Sequence, residues 1–266
     1  MRSLFLTIRN EGTKMVNWPD RMNVRGYLLA LLVMCLVVNT ALAGDLETGG
    51  TGVIDFPEEL VNDLKRIPSR ESGWWLLTGA ALTIGVHQFE DPAGAARSLS
   101  QPGLDAASDF GNIWGDILVQ APLALGTWGL GGMTDNEGMQ GLGFDLSRGL
   151  LESYLTVAIL KRTFPRTRPN GEQYSFPSGH TAAAFTTAGV VSRRYGGWVG
   201  GVTIGLGVLT AMGRMEDMKH YASDVVAGAT IGWIIGRNAG GREQDTEGVA
   251  WQLVPMARGI AVAGRF

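Results

Sequence analysis

The chain has 266 residues, of which 45% are hydrophobic, and this is enough to build one sizeable hydrophobic core. Its formal net charge is -3, so it lacks the broad basic surface that binding to nucleic acid requires. We therefore expect a single domain and exclude DNA and RNA as partners. The 39 glycines, many of them inside apolar runs, indicate helices that pack closely against one another.

Residues 22–43 have the pattern of an export signal. The apolar stretch from Leu28 to Val38 follows two arginines, and Ala41–Ala43 forms a small-residue cleavage site. We therefore predict that residues 1–43 are a signal peptide or, if they are not cleaved, an N-terminal anchor. Residues 44–266 are predicted to form the functional domain. The single cysteine lies in the apolar stretch, so cleavage would leave a chain without cysteine, which suits an oxidising compartment.

A short amphipathic helix is predicted to begin near Pro57, because proline and acidic residues are favoured in the first turn of a helix. Its apolar residues share one face: Leu60, Val61, Leu64 and Ile67. That face either packs on the domain or lies on a membrane surface.

Longer helices are predicted at Ser72–Phe89, Asn112–Leu130, Asp145–Arg162, Ala182–Ser192, Tyr195–Gly213 and Ser223–Gly236. Residues 90–111 are expected to be irregular because they contain prolines and scattered glycines, and residues 131–143 to form a glycine-rich loop. Tyr195–Gly213 holds 19 uncharged residues, about the length of a membrane span. A buried helix of a soluble bundle and a membrane-embedded helix both fit this run.

The C-terminal residues differ in pattern from the helices. Residues 260–266 alternate in the manner of a short strand. We expect a helical core over about residues 72–238 and a tail over residues 239–266 that ends in this β-like segment and packs on the domain.

Three short clusters between residues 161 and 224 combine cationic and imidazole side chains. The first runs from Lys161 to Pro169 and contains four basic residues. The second is Phe176–Thr181, with the sequence Phe-Pro-Ser-Gly-His-Thr, and the third runs from Arg214 to Asp224. Each cluster falls at the end of a predicted helix, so a bundle can bring the three together.

A phosphate ester is the substrate group that these clusters fit. Its non-bridging oxygens carry negative charge, and more develops there as a nucleophile attacks phosphorus. Lys161, Arg168 and Arg214 are predicted to bind these oxygens, since arginine adds bidentate geometry to its charge. Ser178 and Gly179 are predicted to add N–H groups at the start of a helix, where the helix dipole favours an anion. Gly179 has no Cβ in the way of an approaching oxygen.

The two histidines in the clusters are predicted to divide the remaining chemistry. His220 is the predicted nucleophile, because Asp224, four residues further on, can accept a hydrogen bond from its other ring nitrogen. His180 is the predicted general acid, which protonates the leaving oxygen and later activates water. No metal or other cofactor is required. The other basic residues of this region and the third histidine are interpreted as surface or packing residues: Arg162, Arg166, Lys219 and His87.

The spacing of these residues resembles the three-part signature of the type 2 phosphatidic acid phosphatase family, which is related to bacterial acid phosphatases and vanadium haloperoxidases. The matching residues are Lys161 with Arg168-Pro169, Pro177-Ser178-Gly179-His180, and Arg214 with His220 and Asp224. The chain departs from the family at Gly213, where a serine usually precedes the arginine, and so lacks one possible hydroxyl donor. The resemblance covers residues 161–224 directly and, through the helix pattern, about residues 72–238.

The resemblance implies an all-α bundle of about six helices and a metal-independent phosphatase acting through a phosphohistidine. The export pattern and the apolar helices favour a lipid phosphate or lipid pyrophosphate as substrate. They also favour an exported enzyme, periplasmic or membrane-associated, with its active site facing the periplasm. The alternatives are a soluble periplasmic acid phosphatase on small phosphomonoesters, a vanadium haloperoxidase and a non-enzymatic membrane protein. The oligomeric state is left open.

Overall fold

The computed structural model describes residues 52, 54–101, 104–241, 251–256 and 259–264. In these ranges it has nine helices: α1 (Phe56–Arg66), α2 (Arg70–His87), α3 (Pro92–Leu99), α4 (Leu104–Trp114), α5 (Ile117–Met133), α6 (Glu137–Thr163), α7 (Gly179–Tyr195), α8 (Gly197–Glu216) and α9 (Ala222–Ala239). Strands β1 (Trp251–Met256) and β2 (Gly259–Gly264) form an antiparallel hairpin. The predicted helical fold with a short β ending is confirmed, whereas the predicted leader, residues 1–43, lies outside the described residues.

Helix α6 begins earlier than the sequence pattern predicts. It starts at Glu137, where the Asn136 side chain caps the first turn through a hydrogen bond of 2.7 Å. The segment 131–143 predicted as a loop therefore lies largely within helices. A Cβ on Gly143 would lie 2.1 Å from the backbone nitrogen of Trp128 on α5. Glycine is thus needed here because the backbones of α5 and α6 touch.

The segment 90–111, predicted to be irregular, instead contains α3 and most of α4. The Asp91 side chain caps α3 by accepting a hydrogen bond from the Gly94 N–H at 2.9 Å. Pro92 occupies the first turn, where its missing N–H has no helical partner to lose. Proline at this point therefore marks the start of a helix rather than a break.

Helix α7 is the centre of the bundle and contacts α6, α8 and α9. Its buried side chains are mostly small, including Ala182, Ala184, Ala188, Val190 and Val191. Helix α9 approaches it through glycines: a Cβ on Gly228 would lie 2.4 Å from the carbonyl oxygen of Ser178, and one on Gly232 would lie 2.1 Å from that of Ala182. This close packing fixes the start of α9 beside the start of α7.

Helix α1 is held to the bundle by a buried ion pair. Arg148 on α6 donates to Asp63 at 2.5 Å and to Asp145 at 3.0 Å, and all three residues are fully buried. Val61 and Leu64 are about half exposed, at 48% and 53%. The predicted apolar face is therefore divided: Val61 and Leu64 point away from the bundle, whereas Leu60 and Ile67 are partly buried.

Large apolar side chains remain exposed on several helices. They include Trp74, Leu76, Leu77 and Ile84 on α2, Leu125 and Leu130 on α5, Tyr154 and Ile159 on α6, and Trp198 and Val202 on α8. Among the residues described, no helix is both long enough and apolar enough to cross a membrane.

Candidate active site

Direct hydrogen bonds join the three clusters predicted from the sequence. The Arg166 guanidinium of the first cluster donates to the Asp224 carboxylate of the third at 2.8 Å. The backbone N–H of Asn170 donates to the carbonyl oxygen of Met218 at 3.0 Å, and the N–H of Ser178, in the second cluster, donates to that of Asp224 at 3.0 Å. The structure therefore brings the clusters to one place.

Helix ends position most of the site. Lys161 lies in the last turn of α6, and Arg214 in the last turn of α8. Ser178 is the N-cap of α7, as its sequence context predicts, and Asp224 lies in the first turn of α9. Two helices thus bring their positive N-terminal ends to the site, and two others bring basic side chains. This arrangement favours an anion.

The Lys161 ammonium is partly buried and donates to the carbonyl oxygen of Tyr174 at 2.6 Å. Burial, followed by the charges of Arg168 and Arg214, lowers the pKa of Lys161 to about 8, although the Asp224 carboxylate acts in the opposite direction. The side chain is therefore cationic at neutral pH and loses its charge in mild alkali.

Arg168 lies in the loop after α6 and pairs with Glu172 at 2.7 Å. The other oxygen of Glu172 accepts from Lys219, also at 2.7 Å, so Lys219 is held in a surface ion pair. Arg162 donates to the backbone carbonyl of Ala158 and is exposed. Arg162 is thus exposed, as interpreted from the sequence, but it also borders a cavity between α6 and α7, and Lys219 is partly exposed.

Arg214 is buried and donates to the Asn112 side chain on α4 at 3.1 Å. Burial lowers its pKa, and the charge of Arg168 acts in the same direction, although Asp217 opposes both. A Cβ on the preceding Gly213 would lie 2.5 Å from the backbone carbonyl oxygen of Ser108. The departure from the family pattern at Gly213 is therefore explained by the close approach of α4 and α8, which leaves no room for serine.

Three nitrogens in this region are buried without a hydrogen-bond partner among the described residues. They are Nε of Arg168, Nε of Arg214 and Nδ1 of His220. Buried N–H donors are rarely left unpaired in folded proteins, because their desolvation is not repaid. Two arginine donors in this state fit an oxyanion that binds between them.

His220 is buried and its Nδ1 lies 3.8 Å from Oδ2 of Asp224. This separation is longer than a hydrogen bond, so the predicted hydrogen bond is not formed in the ligand-free protein, although the two side chains lie close together. Burial lowers the pKa of His220 to about 4, with Arg214 and Lys161 acting in the same direction and Asp224 opposing them. The ring is therefore neutral at neutral pH, and Nε2 is left to react with a ligand.

Asp224 is held in place from several sides. Its Oδ2 accepts from the Ser175 hydroxyl at 2.5 Å and from the Tyr221 backbone N–H at 2.9 Å. Burial alone would raise the pKa of Asp224, but the neighbouring His220, Ser175 and Tyr221 groups and the charge of Arg166 outweigh it and lower that pKa. The carboxylate is therefore ionised at the pH at which His220 is neutral.

His180 lies in the first turn of α7. Burial, followed by the charges of Arg214, His220, Arg168 and Lys161, lowers its pKa to about 3. In the ligand-free protein the ring is therefore neutral. A general acid must carry a proton, so this role requires that a bound anion raise the pKa of His180.

Ser178 and Gly179 form the start of α7. The Ser178 hydroxyl lies 3.0 Å from that of Thr181 and caps the helix, which leaves first-turn N–H groups free of helical partners. A Cβ on Gly179 would meet Val157 at 3.6 Å, an ordinary contact. The protein itself therefore tolerates a side chain at Gly179, and any requirement for glycine there comes from the ligand.

Sequence reasoning missed four polar residues that hold the site together: Glu90, Asn112, Arg166 and Ser175. Arg166 was interpreted as a surface residue, but it pairs with the buried Asp224. The position of Arg166 inside the first cluster is the sequence feature that could have indicated a role in the site. Glu90 and Asn112 lie in segments distant in sequence from the clusters, and no local pattern marks them.

Two cavities border the predicted residues. One, of about 370 Å³, lies between α6 and α7 with Lys161, Gly179 and His180 on its wall. The rest of its lining is largely apolar and includes Ile117, Leu150, Tyr154, Val157 and Ala183. His220 borders a second cavity of about 510 Å³ between α2, α3 and the start of α9.

Relatives with similar sequences carry phosphatase names. The Lipid A 1-phosphatase of Porphyromonas gingivalis is 32% identical over 126 residues, which are 45% of this chain and 27% of the relative. The Lipid A 4'-phosphatase of Helicobacter pylori is 32% identical over 131 residues, 45% of this chain and 64% of the relative. The chain thus spans about a quarter of the first relative and less than two thirds of the second.

A solved structure shares the fold. It is the transmembrane PAP2 type phosphatidylglycerolphosphate phosphatase from Bacillus subtilis, with a TM-score of 0.50 and 18% identity, covering 73% of this chain and 96% of that one. At this identity the likeness concerns the fold alone. Residues 143–239 match the model of the PAP2 superfamily, and this range contains all eight predicted site residues. Through this core, the chain is similar to the PAP2 superfamily.

Proposed function

We propose that this protein is a phosphatase that removes phosphate from a lipid phosphate or lipid pyrophosphate through a phosphohistidine intermediate. The observation that carries the proposal is the cavity of about 370 Å³ between α6 and α7. It places the cationic Lys161 and the imidazole of His180 beside a largely apolar wall. A ligand that fits this cavity has an anionic group at one end and an apolar body at the other.

Two further observations support a lipid substrate. The relatives from Porphyromonas gingivalis and Helicobacter pylori are named lipid A phosphatases. Exposed apolar side chains on α2, α5, α6 and α8 suit contact with lipid or detergent. With the export pattern of residues 22–43, this favours a membrane-associated enzyme whose active site faces the periplasm.

In the first step of the proposed mechanism, the substrate phosphate binds to Arg168, Arg214 and Lys161 and to the N–H groups at the start of α7. Nε2 of His220 attacks phosphorus while Asp224 stabilises the positive charge that develops on the ring. The bond from phosphorus to the leaving oxygen breaks, and His180 donates its proton to that oxygen. The products of this step are an alcohol, or a lipid monophosphate from a pyrophosphate, and phosphohistidine.

In the second step, His180 accepts a proton from water, and the resulting hydroxyl attacks phosphorus. The bond between phosphorus and Nε2 breaks, inorganic phosphate leaves, and His220 returns to its neutral form. The three cationic side chains stabilise the charge on the phosphate oxygens in both steps. Each such donor contributes about 10²- to 10³-fold to the rate.

The experiment that tests the proposal compares substrates with the purified protein in detergent. We expect release of phosphate from a short-chain phosphatidic acid to exceed release from a nucleotide monophosphate. His220→Ala should abolish it, because this variant lacks the imidazole that forms the proposed covalent intermediate. A preference for the nucleotide would overturn the lipid assignment, and activity that survives His220→Ala would overturn the catalytic site.

Three measurements test the mechanism itself. Rapid acid quench with ³²P-labelled substrate should trap an acid-labile phosphoenzyme in the wild type and none in His220→Ala. Vanadate should inhibit, because it mimics pentavalent phosphorus. Activity should survive EDTA, and a loss of activity on chelation that a divalent cation restores would contradict the proposed chemistry.

A separate assay tests the haloperoxidase alternative. Oxidation of halide by the vanadate-loaded protein would show that the protein is a haloperoxidase and would overturn the proposed function.

A further inference from the structure

Arg166 links the carboxylate of Asp224 to a second carboxylate, that of Glu90. Its Nη1 donates to Oδ1 of Asp224 and to the Ser223 hydroxyl, both at 2.8 Å. Its Nη2 donates to Oε2 of Glu90 at 2.5 Å. Glu90 in turn accepts from the backbone N–H of Ser223 at 2.9 Å through its other oxygen. The guanidinium thus ties the connection between α2 and α3 to the first turn of α9.

The guanidinium is held rigidly. Its central carbon lies 3.8 Å above the ring of Tyr221, a cation–π contact. The carboxylates on either side are nearly inaccessible, with side-chain exposures of 7% for Glu90 and 0% for Asp224. Burial opposes the charge on Glu90, but hydrogen bonds from Ser223 and Arg166 outweigh it and lower the pKa of Glu90. Both carboxylates are therefore ionised around a single arginine.

Each oxygen of the Asp224 carboxylate has its own hydrogen-bond partners among the described residues, and Arg166 donates to the oxygen that neither Ser175 nor Tyr221 contacts. Oδ2 is taken by Ser175 and the Tyr221 N–H, and this same oxygen faces Nδ1 of His220. Oδ1 is taken by Arg166. Fixing both oxygens fixes the carboxylate plane, and so the direction from which Asp224 meets the imidazole.

We propose that Arg166, anchored by Glu90, is a positioning residue that orients Asp224 and thereby sets the protonation and alignment of the His220 ring. This role rests on the proposed function in that His220 is the nucleophile. Arg166 does not line the cavity that holds Lys161 and His180, and it acts on the reaction through Asp224. It is thus distinct in role from Arg168, two residues later.

Several charged or titratable groups face this network from the elements packed around it. Those that face the His220–Asp224 pair are Lys161 from α6, Arg166 from the loop after α6, His180 from α7 and Arg214 from α8. Those that face Arg166 from the end of α2 and the residues after it are His87 and Glu90. Of these groups, Arg166 carries a positive charge and Glu90 a negative one, so they act in opposite directions on the pKa values of His220 and Asp224.

The opposite charges give opposite expected shifts. Arg166→Gln removes a positive charge beside Asp224, so the pKa values of Asp224 and His220 both rise. Glu90→Gln removes a negative charge and leaves Arg166 uncompensated, so both pKa values fall. A purely structural role for either residue would not move the titration in opposite directions. Arg166→Lys keeps the charge but loses the two-sided geometry, so it should leave the titration near that of the wild type.

The kinetic experiment uses the full chain in detergent with short-chain phosphatidic acid. We expect Arg166→Gln to lower kcat about ten- to a hundredfold with little change in KM, the range typical when a partner that orients a ligating side chain is removed. The acid limb of the kcat/KM profile should move to higher pH in Arg166→Gln and to lower pH in Glu90→Gln. Arg166→Lys should recover part of kcat. Arg97→Gln, an equal charge change at an exposed site on α3, should have no effect.

The second measurement is independent of activity. The ring ¹⁵N signal of His220, assigned as the one missing in His220→Ala, is titrated by NMR in each variant. Its midpoint should rise in Arg166→Gln and fall in Glu90→Gln. If Arg166→Gln does not fold, Glu90→Gln still tests the fall of the midpoint, and Arg166→Lys tests the loss of kcat without a shift of the midpoint. Because Arg166 borders an open cavity of about 900 Å³, its truncation leaves no sealed void.

The possible outcomes separate the two proposals. A wild type that releases no phosphate from its substrates would overturn the proposed function, while the NMR shifts would still test whether Arg166 and Glu90 act on His220. If the wild type is active and Arg166→Gln has the same kcat and the same His220 midpoint, the positioning role is overturned. Shifts in the same direction for Arg166→Gln and Glu90→Gln would overturn it as well.

Discussion

The backbone N–H of Ser178 donates to the carbonyl oxygen of Asp224 at 3.0 Å. This bond joins the N-cap of α7 to the first turn of α9, so two helix starts lie side by side. Each start carries partial positive charge, and Lys161 and Arg214 arrive from the ends of two other helices. The proposed phosphate site therefore depends on how four helix ends meet, and the following predictions test its parts.

The activity should have a bell-shaped pH profile. The pKa of His220 is lowered to about 4, so the nucleophile loses its free electron pair only as pH falls through about 4. The pKa of Lys161 is lowered to about 8, so a phosphate-binding charge is lost as pH rises through about 8. Measurement of kcat/KM against pH should give an acid limb near 4 and a steeper fall above about 8, in addition to the slope that proton uptake at His180 contributes between them. Lys161→Arg should move the alkaline limb beyond the measured range, and an unchanged alkaline limb in that variant would assign it to another group.

Gly179→Ala should fold normally and lose activity. A Cβ there would make only an ordinary contact with Val157 at 3.6 Å, but it would stand where phosphate approaches the start of α7. A displacement of the substrate by about 1 Å lowers the rate about 10²-fold. Thermal unfolding and kcat/KM are measured on the same preparation. Full activity in Gly179→Ala would show that phosphate does not approach this N–H.

Gly228→Ala is the matched comparison for that variant. Its Cβ would lie 2.4 Å from the carbonyl oxygen of Ser178, so α7 and α9 must separate. We expect a loss of about 1–3 kcal/mol in the free energy of unfolding, together with reduced activity. Unfolding in denaturant measures the loss, and a stability equal to that of the wild type would contradict the close helix contact.

Gly213→Ser, which restores the residue usual in the family, should damage this protein. The new Cβ would lie 2.5 Å from the carbonyl oxygen of Ser108 and 2.8 Å from Oδ1 of Asn112, the acceptor for Arg214. We expect about 1–3 kcal/mol of destabilisation and a higher KM. Gly205→Ser on the same helix is the control, because a Cβ there has no neighbour within 4 Å. Equal behaviour of the two variants would refute the packing explanation.

Binding of an oxyanion should be coupled to proton uptake at His180. Its pKa of about 3 keeps the His180 ring neutral in the ligand-free protein, and a bound anion beside it favours the protonated ring. Calorimetric titration with tungstate near neutral pH, in buffers of different ionisation enthalpy, should show uptake of up to about one proton. His180→Gln should bind tungstate without that uptake. Binding without uptake in the wild type would remove His180 as the general acid.

The sequence by itself determined the parts of this protein that depend on local rules. Three clusters of fixed residue types predicted the phosphate chemistry, and Ser178 was predicted as a helix cap because capping involves only residues in the next turn. The helical character of the chain followed from its apolar periodicity. The boundaries of the helices did not follow from it. Glycines such as Gly143 indicate a loop in the sequence, but in the structure they allow two helices to pack closely.

Only the tertiary structure decided which polar residues support the site. Glu90 lies 76 residues before Arg166 in the chain, and Asn112 lies 102 before Arg214, yet each pair is hydrogen-bonded. No periodicity or spacing rule connects residues so distant in sequence. Their pairing follows from which helices the close-packed glycines allow to meet, and that choice depends on the backbone geometry of the whole bundle.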